Sequence, residues 1–359
     1  METDVPQEKG GCYGIRSAFF IKGIVSPCDW WYNCSKKSAA KRAAVAFILL
    51  NKEGEMTVTG SFEIEDGVLI SYSGEDEVVV IPEGVDAIGD DAFRENKTVR
   101  RVVIGDEVTY IGSLAFLECE NLCEVEIGEG IEYIEGSAFF KCGNLKFNEY
   151  DNGYYLGSRK KPYTVFFAAK DKQILSCEIH PDTKILHGHA FFQCERLTEV
   201  KIPEGVMQIG QNAFFACRAL TEVVIPDSVD EVDEEVFGCC TRLRRIRFSN
   251  RTKYIPRNVC IWCKSLTDLE IPEFVTEIGE AAFLGCISLT EVVIPKGVTL
   301  IDEDVFWRCE SLKSAVILGE ATEIRDFVFD HCSELVISGV GGGTADAYAK
   351  KNNIAFQKI

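Results

Sequence analysis

The chain has 359 residues, 46 % of them hydrophobic and 26 % charged, which excludes a disordered polyelectrolyte and leaves enough apolar material for a sizeable core. A formal net charge of −19 argues against nucleic acid and anionic membrane surfaces as general partners, because a binder of either needs a basic face. The 16 cysteines raise disulfide, metal and redox chemistry together, and their spacing has to decide among them.

Residues Met1 to Val25 carry no charged-then-apolar-then-small export pattern, so this stretch predicts a cytoplasmic protein. The apolar run Ala43 to Leu50 follows Lys36, Lys37, Lys41 and Arg42; it is too short to span a membrane and reads as a packed helix. Residues 1–60 are therefore expected to form a helical cap segment with Trp30, Trp31 and Tyr32 in its core. Phe62 to Ile81 then reads as two or three strands closing a first coil.

Beyond that point the chain repeats itself. Phe93, Phe116 and Phe139, then Phe191, Phe214, Phe237, Cys260, Phe283, Phe306 and Phe329, hold one anchor slot, and apart from one gap each step is 23 residues. The copy from Ala282 to Phe306 reads AFLGCISLTEVVIPKGVTLIDEDVF, a layout of apolar residues that no helix of constant pitch buries. Val292 and Ile294 alternate with Glu291 and Val293, as in a strand with one face inward. Pro295 ends it, as do Pro82, Pro203, Pro226 and Pro272 in the same slot, because proline donates no ladder bond. Each coil is expected to give one short strand, with about ten coils stacked about 4.8 Å apart into a parallel sheet.

The recurring C-x-x-L-x-x-V-x-I-P-x-x-V-x-x-I-x-x-x-A-F resembles the BspA-like class of leucine-rich repeats from about Ser61 to the C-terminus. That resemblance implies an α/β repeat protein, a right-handed leucine-rich-repeat solenoid of short parallel strands and 23-residue coils over residues 61–338, capped at both ends. Between Phe139 and Phe191 lie 52 residues where two coils need 46, and Asp151-Asn152-Gly153 and Lys161-Pro162 signal turns between aromatic runs. A hairpin-like insertion is expected at about 146–176, similar to insertions in the same family, with Cys177 and Ile179 resuming the strand. Residues 339–359 resemble the family's terminal helix-and-strand cap.

Nine cysteines, Cys119, Cys142, Cys194, Cys217, Cys240, Cys263, Cys286, Cys309 and Cys332, fall three residues after the anchor slot and predict a buried column of small apolar side chains. Cys260-Ile261-Trp262-Cys263 has zinc or redox spacing, but it lacks a second ligand pair and the repeat accounts for both cysteines. His180 takes a turn slot, and His187 and His189 fall in the polar loop before Phe191, where solvent is their expected partner. With no serine, histidine and acid set and no phosphate-binding glycine loop, the sequence assigns no catalytic residue, cofactor or metal.

The outward strand positions remain. One row passes Arg101, Glu124, Glu199, Glu222, Arg245, Asp268 and Glu291, beside Val103, Glu126, Lys201, Val224, Arg247, Glu270 and Val293. Arg242, Arg244, Arg245 and Arg247 make one basic coil among Glu199, Glu222, Asp268, Glu270 and Glu291, and these nine residues are the partner-binding candidates. Two readings compete: cross-strand charge pairing, worth a few tenths to about 1 kcal/mol per pair, and a recognition patch for an acidic partner. The expected function is a non-enzymatic scaffold that binds a protein, or a glycan, with no role for nucleic acid or membrane insertion. The family resemblance implies a cell-surface adhesin for host or matrix proteins as the alternative, and a metal- or thiol-dependent enzyme is the reading from another class.

Overall fold

The computed structural model describes residues 43–50 and 56–359, so the expectations for residues 1–42, including Trp30, Trp31 and Tyr32, lie outside the described residues. Ala43–Leu50 is a strand and not the expected helix; it pairs antiparallel with Met56–Glu65, which pairs antiparallel with Val68–Gly74. An uninterrupted apolar run of eight residues fits a strand by its length as well as a helix, and the neighbouring strand decides between them.

The rest is a mostly-strand solenoid of about 13 turns, against the expected ten, and Thr344–Lys351 is the one α-helix among the described residues. Each coil gives two parallel strands, where the sequence reading found one. The longer strands, of three or four residues, are those read from the E-V-x-I alternation. Glu222–Val224, Arg245–Arg247 and Asp268–Glu270 show the register, with Val223, Ile246 and Leu269 side by side one coil apart. Val292 begins the next hydrogen-bonded sheet, opposite Ala315. The second row is built from two-residue strands such as Tyr254–Ile255, Glu277–Ile278 and Leu300–Ile301, whose isoleucines also point into the core.

Between the rows the chain turns sharply about the anchor residue, and these turns repeat left-handed conformations at Asn212 and Ala216, Glu235 and Cys239, Asn258 and Trp262, and Ala281 and Gly285. Except at Phe139, before the insertion, and Phe329, in the last coil, the anchor amide donates to a carbonyl of the next coil, as from Phe214 to Val236 (2.9 Å) and from Phe237 to Val259 (2.8 Å). The anchor carbonyl accepts twice. It takes the amide of its own coil's cysteine and, from the following coil, a thiol: Cys119, Cys142, Cys217, Cys240, Cys263, Cys286, Cys309 and Cys332 each place Sγ 3.0–3.4 Å from the anchor carbonyl 26 residues earlier. The column is thus small and apolar, as expected, and it also supplies a donor that alanine or valine lacks.

The anchor rings stack along the coils, Phe191 on Phe214 at 5.0 Å and Phe306 on Phe329 at 5.5 Å. This core is divided in two. One cluster runs from Phe62 to Cys142 and the other from Tyr155 to Ala349, and the insertion stands between them. Gly153–Leu156 and Val165–Ala169 are antiparallel strands buried on both faces: Leu156 and Val165 join the first cluster, while Tyr155 and Phe166 join the second. The period of two sends adjacent side chains to opposite cores. Gly153 is needed there, because a Cβ would lie 2.6 Å from the Phe166 ring and 2.8 Å from the Tyr155 ring. At the far end Ala345, Tyr348 and Ala349 of the helix pack into the second cluster, and Ala355–Lys358 pairs parallel with Val336–Gly339.

Candidate interaction surface

Alternation along the longer strands fixes what faces outward: Val223, Ile246 and Val292 are buried, and the residues flanking them are exposed. All nine sequence candidates, Glu199, Glu222, Arg242, Arg244, Arg245, Arg247, Asp268, Glu270 and Glu291, are exposed. Within this row the charges are only partly paired. Arg245 lies between its neighbours, with Nε 3.2 Å from Asp268 and Nη1 3.9 Å from Glu222. The guanidinium groups of Arg242, Arg244 and Arg247 donate no hydrogen bond and form no ion pair among the described residues, although the Arg244 backbone amide donates to the Thr221 carbonyl at 2.9 Å. Beside them a shallow cleft of about 260 Å³ is lined by Arg247, Phe248, Asn250, Glu270 and Pro272.

Nearer the N-terminus the same row is more fully paired. Arg101 contacts Glu124 at 3.3 Å and Glu126 at 2.6 Å, and Arg159 from the insertion reaches Glu126 at 2.8 Å. The contact from Arg159 has no signature in the sequence, since it depends on where the insertion places its loop.

The basic coil departs from the repeat at several places at once. Phe248 stands where its neighbours have Ile225 and Ile271, Ser249 replaces Pro226 and Pro272, and Cys260 replaces the anchor phenylalanine. The turn survives: Thr252 donates to the Ser249 carbonyl at 3.0 Å as Val275 does to Pro272, and the Ser249 hydroxyl accepts the Arg251 amide at 3.1 Å. Arg251 pairs with Asp230 at 2.6 Å and Arg257 with Glu280 at 3.5 Å.

The chemistry weighed for cysteine and histidine finds little geometry to use. Burial pushes the Cys119 and Cys194 thiols up to about 11 and those of Cys142 and Cys332 up to about 12, and it raises Cys217, Cys240, Cys260, Cys286 and Cys309 well above the ordinary thiol value. These groups stay protonated at neutral pH and are poor nucleophiles. Among the described residues the cysteines are free thiols, and no three His, Cys, Asp or Glu side chains are placed to hold a metal ion. His180 is half-buried against Tyr150 and Tyr163, and His189 is exposed. His187 corrects the expectation of a solvated ring. It is 4 % exposed and stacked on Phe167 at 4.6 Å; burial holds it down to about 4, and its Nε2 has no partner. The insertion put Phe167 beside it.

Two further features escaped the sequence reading. Behind the anchors runs a half-exposed aromatic edge, including Phe192 stacked on Phe215 at 5.6 Å and Trp307 under Arg308 at 4.7 Å. The doubled Phe191-Phe192 and Phe214-Phe215 were its signal. The other feature is a polar seam between the two cores. Gln208 receives the Ile134 amide at 3.0 Å and donates to the Ile134 carbonyl at 3.2 Å, substituting for a strand partner. Asp233 accepts from Tyr133 (2.9 Å), Gln208 (3.3 Å) and the Gln211 amide (3.1 Å), and Lys184 donates to the Glu129 carbonyl. Burial pushes the Asp233 carboxyl up to about 7, with Glu231 and Glu135 adding to the rise.

No helix among the described residues is long and apolar enough to cross a membrane. The sequence model of the BspA type leucine-rich repeat region matches residues 71–157, 164–261 and 253–338, with six copies of the repeat. No curated protein matches the chain. Among solved structures, a leucine-rich cell surface protein from Faecalibacterium prausnitzii is 22 % identical over 87 % of this chain and 98 % of its own, with a TM-score of 0.32. A leucine-rich repeat protein from Eubacterium ventriosum is 19 % identical over 85 % and 94 %, at 0.44, and one from Bacteroides ovatus 18 % identical over 89 % and 88 %, at 0.42.

Proposed function

Because the chain belongs to the BspA-type leucine-rich repeat family, we propose that it is a non-enzymatic interaction module that engages a protein partner through the outward face of its longer strands. The observation that carries this reading is the exposed row itself, which offers side chains from every coil on a backbone whose other face is fully committed to the core. Such a surface asks nothing to move or react, and its specificity lies in the side chains. Val224 and Val293, 44 % and 51 % exposed, place apolar contacts among the charges, the mixture found in protein interfaces.

The test is photo-crosslinking in cells of the native host. A crosslinking amino acid at Glu199, Val224 or Val293 on the face is expected to trap the same protein, whereas one at Tyr254 on the second row traps none. Equal trapping from both rows, or none from the face, overturns the reading. An adhesin role is the cell-surface form of this proposal, and surface labelling of intact cells decides it: protein protected from an impermeant reagent rules it out.

A further inference from the structure

Within that face the charges point to one kind of ligand. We propose that the coil carrying Arg242, Arg244 and Arg247 docks an acidic polypeptide segment that lies along the strand, across the direction in which the coils stack; this rests on the reading above and names the partner's chemistry.

Three guanidinium groups that form no ion pair among the described residues stand out in a chain of net charge −19, although, with the hydrogen bonds from Asn250, Arg247 is near enough to Asp227 to help hold that carboxyl down. Each presents a planar fork of donors that matches a carboxylate in two hydrogen bonds. Their one-coil origin sets the direction of approach. Arg247 lies on the strand Arg245–Arg247, with Arg244 just before it and Arg242 in the turn that leads in, five residues away and so at most about 17 Å, within the reach of an acidic run of about five residues. A chain running along the stack meets something different. One coil away on either side, about 4.8 Å off, stand Glu222 and Asp268, and Glu270, itself without an ion pair, sits beside Arg247. Those acids repel any long polyanion aligned with the stack.

The same geometry separates ligand classes. A sulfated glycan or a nucleic acid continues its charge in both directions and carries it onto the acidic coils, whereas a peptide turns acidic for a few residues and then changes. The cleft beside Arg247 is floored by the buried Phe248 and Pro272, and its accessible wall is polar: Asn250, whose Nδ2 is held by Asp227 at 3.0 Å and whose Oδ1 can accept from a peptide amide, which a phosphate does not offer. Arg245 is already divided between Glu222 and Asp268, so it neutralises the rim more than it recruits a ligand.

The probe is a fluorescein-labelled hexaglutamate peptide, read by anisotropy against the full chain. Binding is expected at low salt and to weaken as salt is added. The R242E/R244E/R247E variant is expected to lose about tenfold or more in affinity, with its thermal melt unchanged because all three side chains are exposed. If that variant does not fold, the single Arg→Ala variants carry the test, each weakening binding severalfold. Absence of peptide binding at low salt, unchanged binding by the variants, or tighter binding of a sulfated oligosaccharide of equal charge overturns the proposal. The two readings fail separately. Face crosslinks that persist in the triple variant leave the face as the interaction surface and remove this coil from it; peptide binding without face crosslinks does the reverse.

Discussion

Up to Phe139 the aromatic column is continuous, Tyr72 on Phe93 at 5.2 Å, Phe93 on Phe116 at 4.9 Å and Phe116 on Phe139 at 5.1 Å. It restarts at the insertion's own Phe166, on Phe191 at 4.6 Å, runs to Phe237, and then lacks a ring at Cys260 before resuming at Phe283. Both regions obey one repeat, yet only the second carries a gap, and there Phe248 is buried with its ring 6.5 Å from Phe283. A stacked core therefore needs its volume conserved within a coil more than it needs a given slot filled. The two regions also begin alike. In each region the first short-strand ladder is preceded by antiparallel strands joined by a tight turn, with Asp66 (φ 47) and Asp151 (φ 44) in the left-handed region. A two-residue strand offers little to pair with, and a longer antiparallel strand gives the ladder its first edge.

The largest expected effect comes from breaking the partition between the cores. Leu156→Ala should cost roughly 2–5 kcal/mol and Tyr155→Ala roughly 3–5, since both side chains are essentially fully buried. Although adjacent, they should unfold different halves. Hydrogen exchange is expected to rise first around Phe116 for the leucine variant and around Phe214 for the tyrosine variant, because each coil supports mainly its neighbours. The same amides responding to both substitutions would show that the cores behave as one.

A smaller effect sharpens the contrast at the gap. Restoring the anchor with Cys260→Phe should destabilise the protein by about 1–3 kcal/mol through overpacking, although it makes the coil look more regular. Adding Phe248→Ile should recover most of that loss, and a double-mutant cycle by chemical denaturation measures the coupling. Additive effects would mean that the two side chains do not share the space.

How much of this was legible in the sequence differs between the core and the surface. The anchors, the cysteine column and the inward strand positions all showed in the 23-residue step, because each reports a contact between a coil and its identical neighbour. Exposure of the nine charged candidates followed from the alternation at Glu291-Val292-Val293-Ile294 and its counterparts. The second strand row did not show, since two residues are too few to display a period. His187 was misread because its burial comes from Phe167, supplied by the one segment that escapes the repeat. Which arginines stay unpaired was partly visible: the partners of Arg245 stand one period away at Glu222 and Asp268, while the third arm on Glu126 comes from Arg159, outside the register.

The seam gives the smallest effect. Tyr133 and Asp233 are 100 residues apart, and their bond fixes the end of the first short-strand ladder to the coils beyond the insertion. Burial raises the Asp233 carboxyl to about 7 from an ordinary 3.8, so the folded chain keeps a proton that the unfolded chain gives up. Its contribution to stability is full below about pH 4 and declines as pH climbs through 7. Tyr133, Gln208 and the Gln211 amide favour the charged form, while Glu231 and Glu135 oppose it, and among the described residues no cation is paired with Asp233. Asp233→Asn keeps the shape and removes the proton. Its thermal melt should be flatter than that of the wild type between pH 5 and 8, by the equivalent of roughly 1–2 kcal/mol for a group that retains some solvent. Exchange at the Ile134 amide, held by Gln208, should speed up over the same range in the wild type beyond the intrinsic base-catalysed rise. Parallel melting curves for the two proteins, with no excess exchange at Ile134, would remove Asp233 as the group through which pH reaches the joint between the two regions.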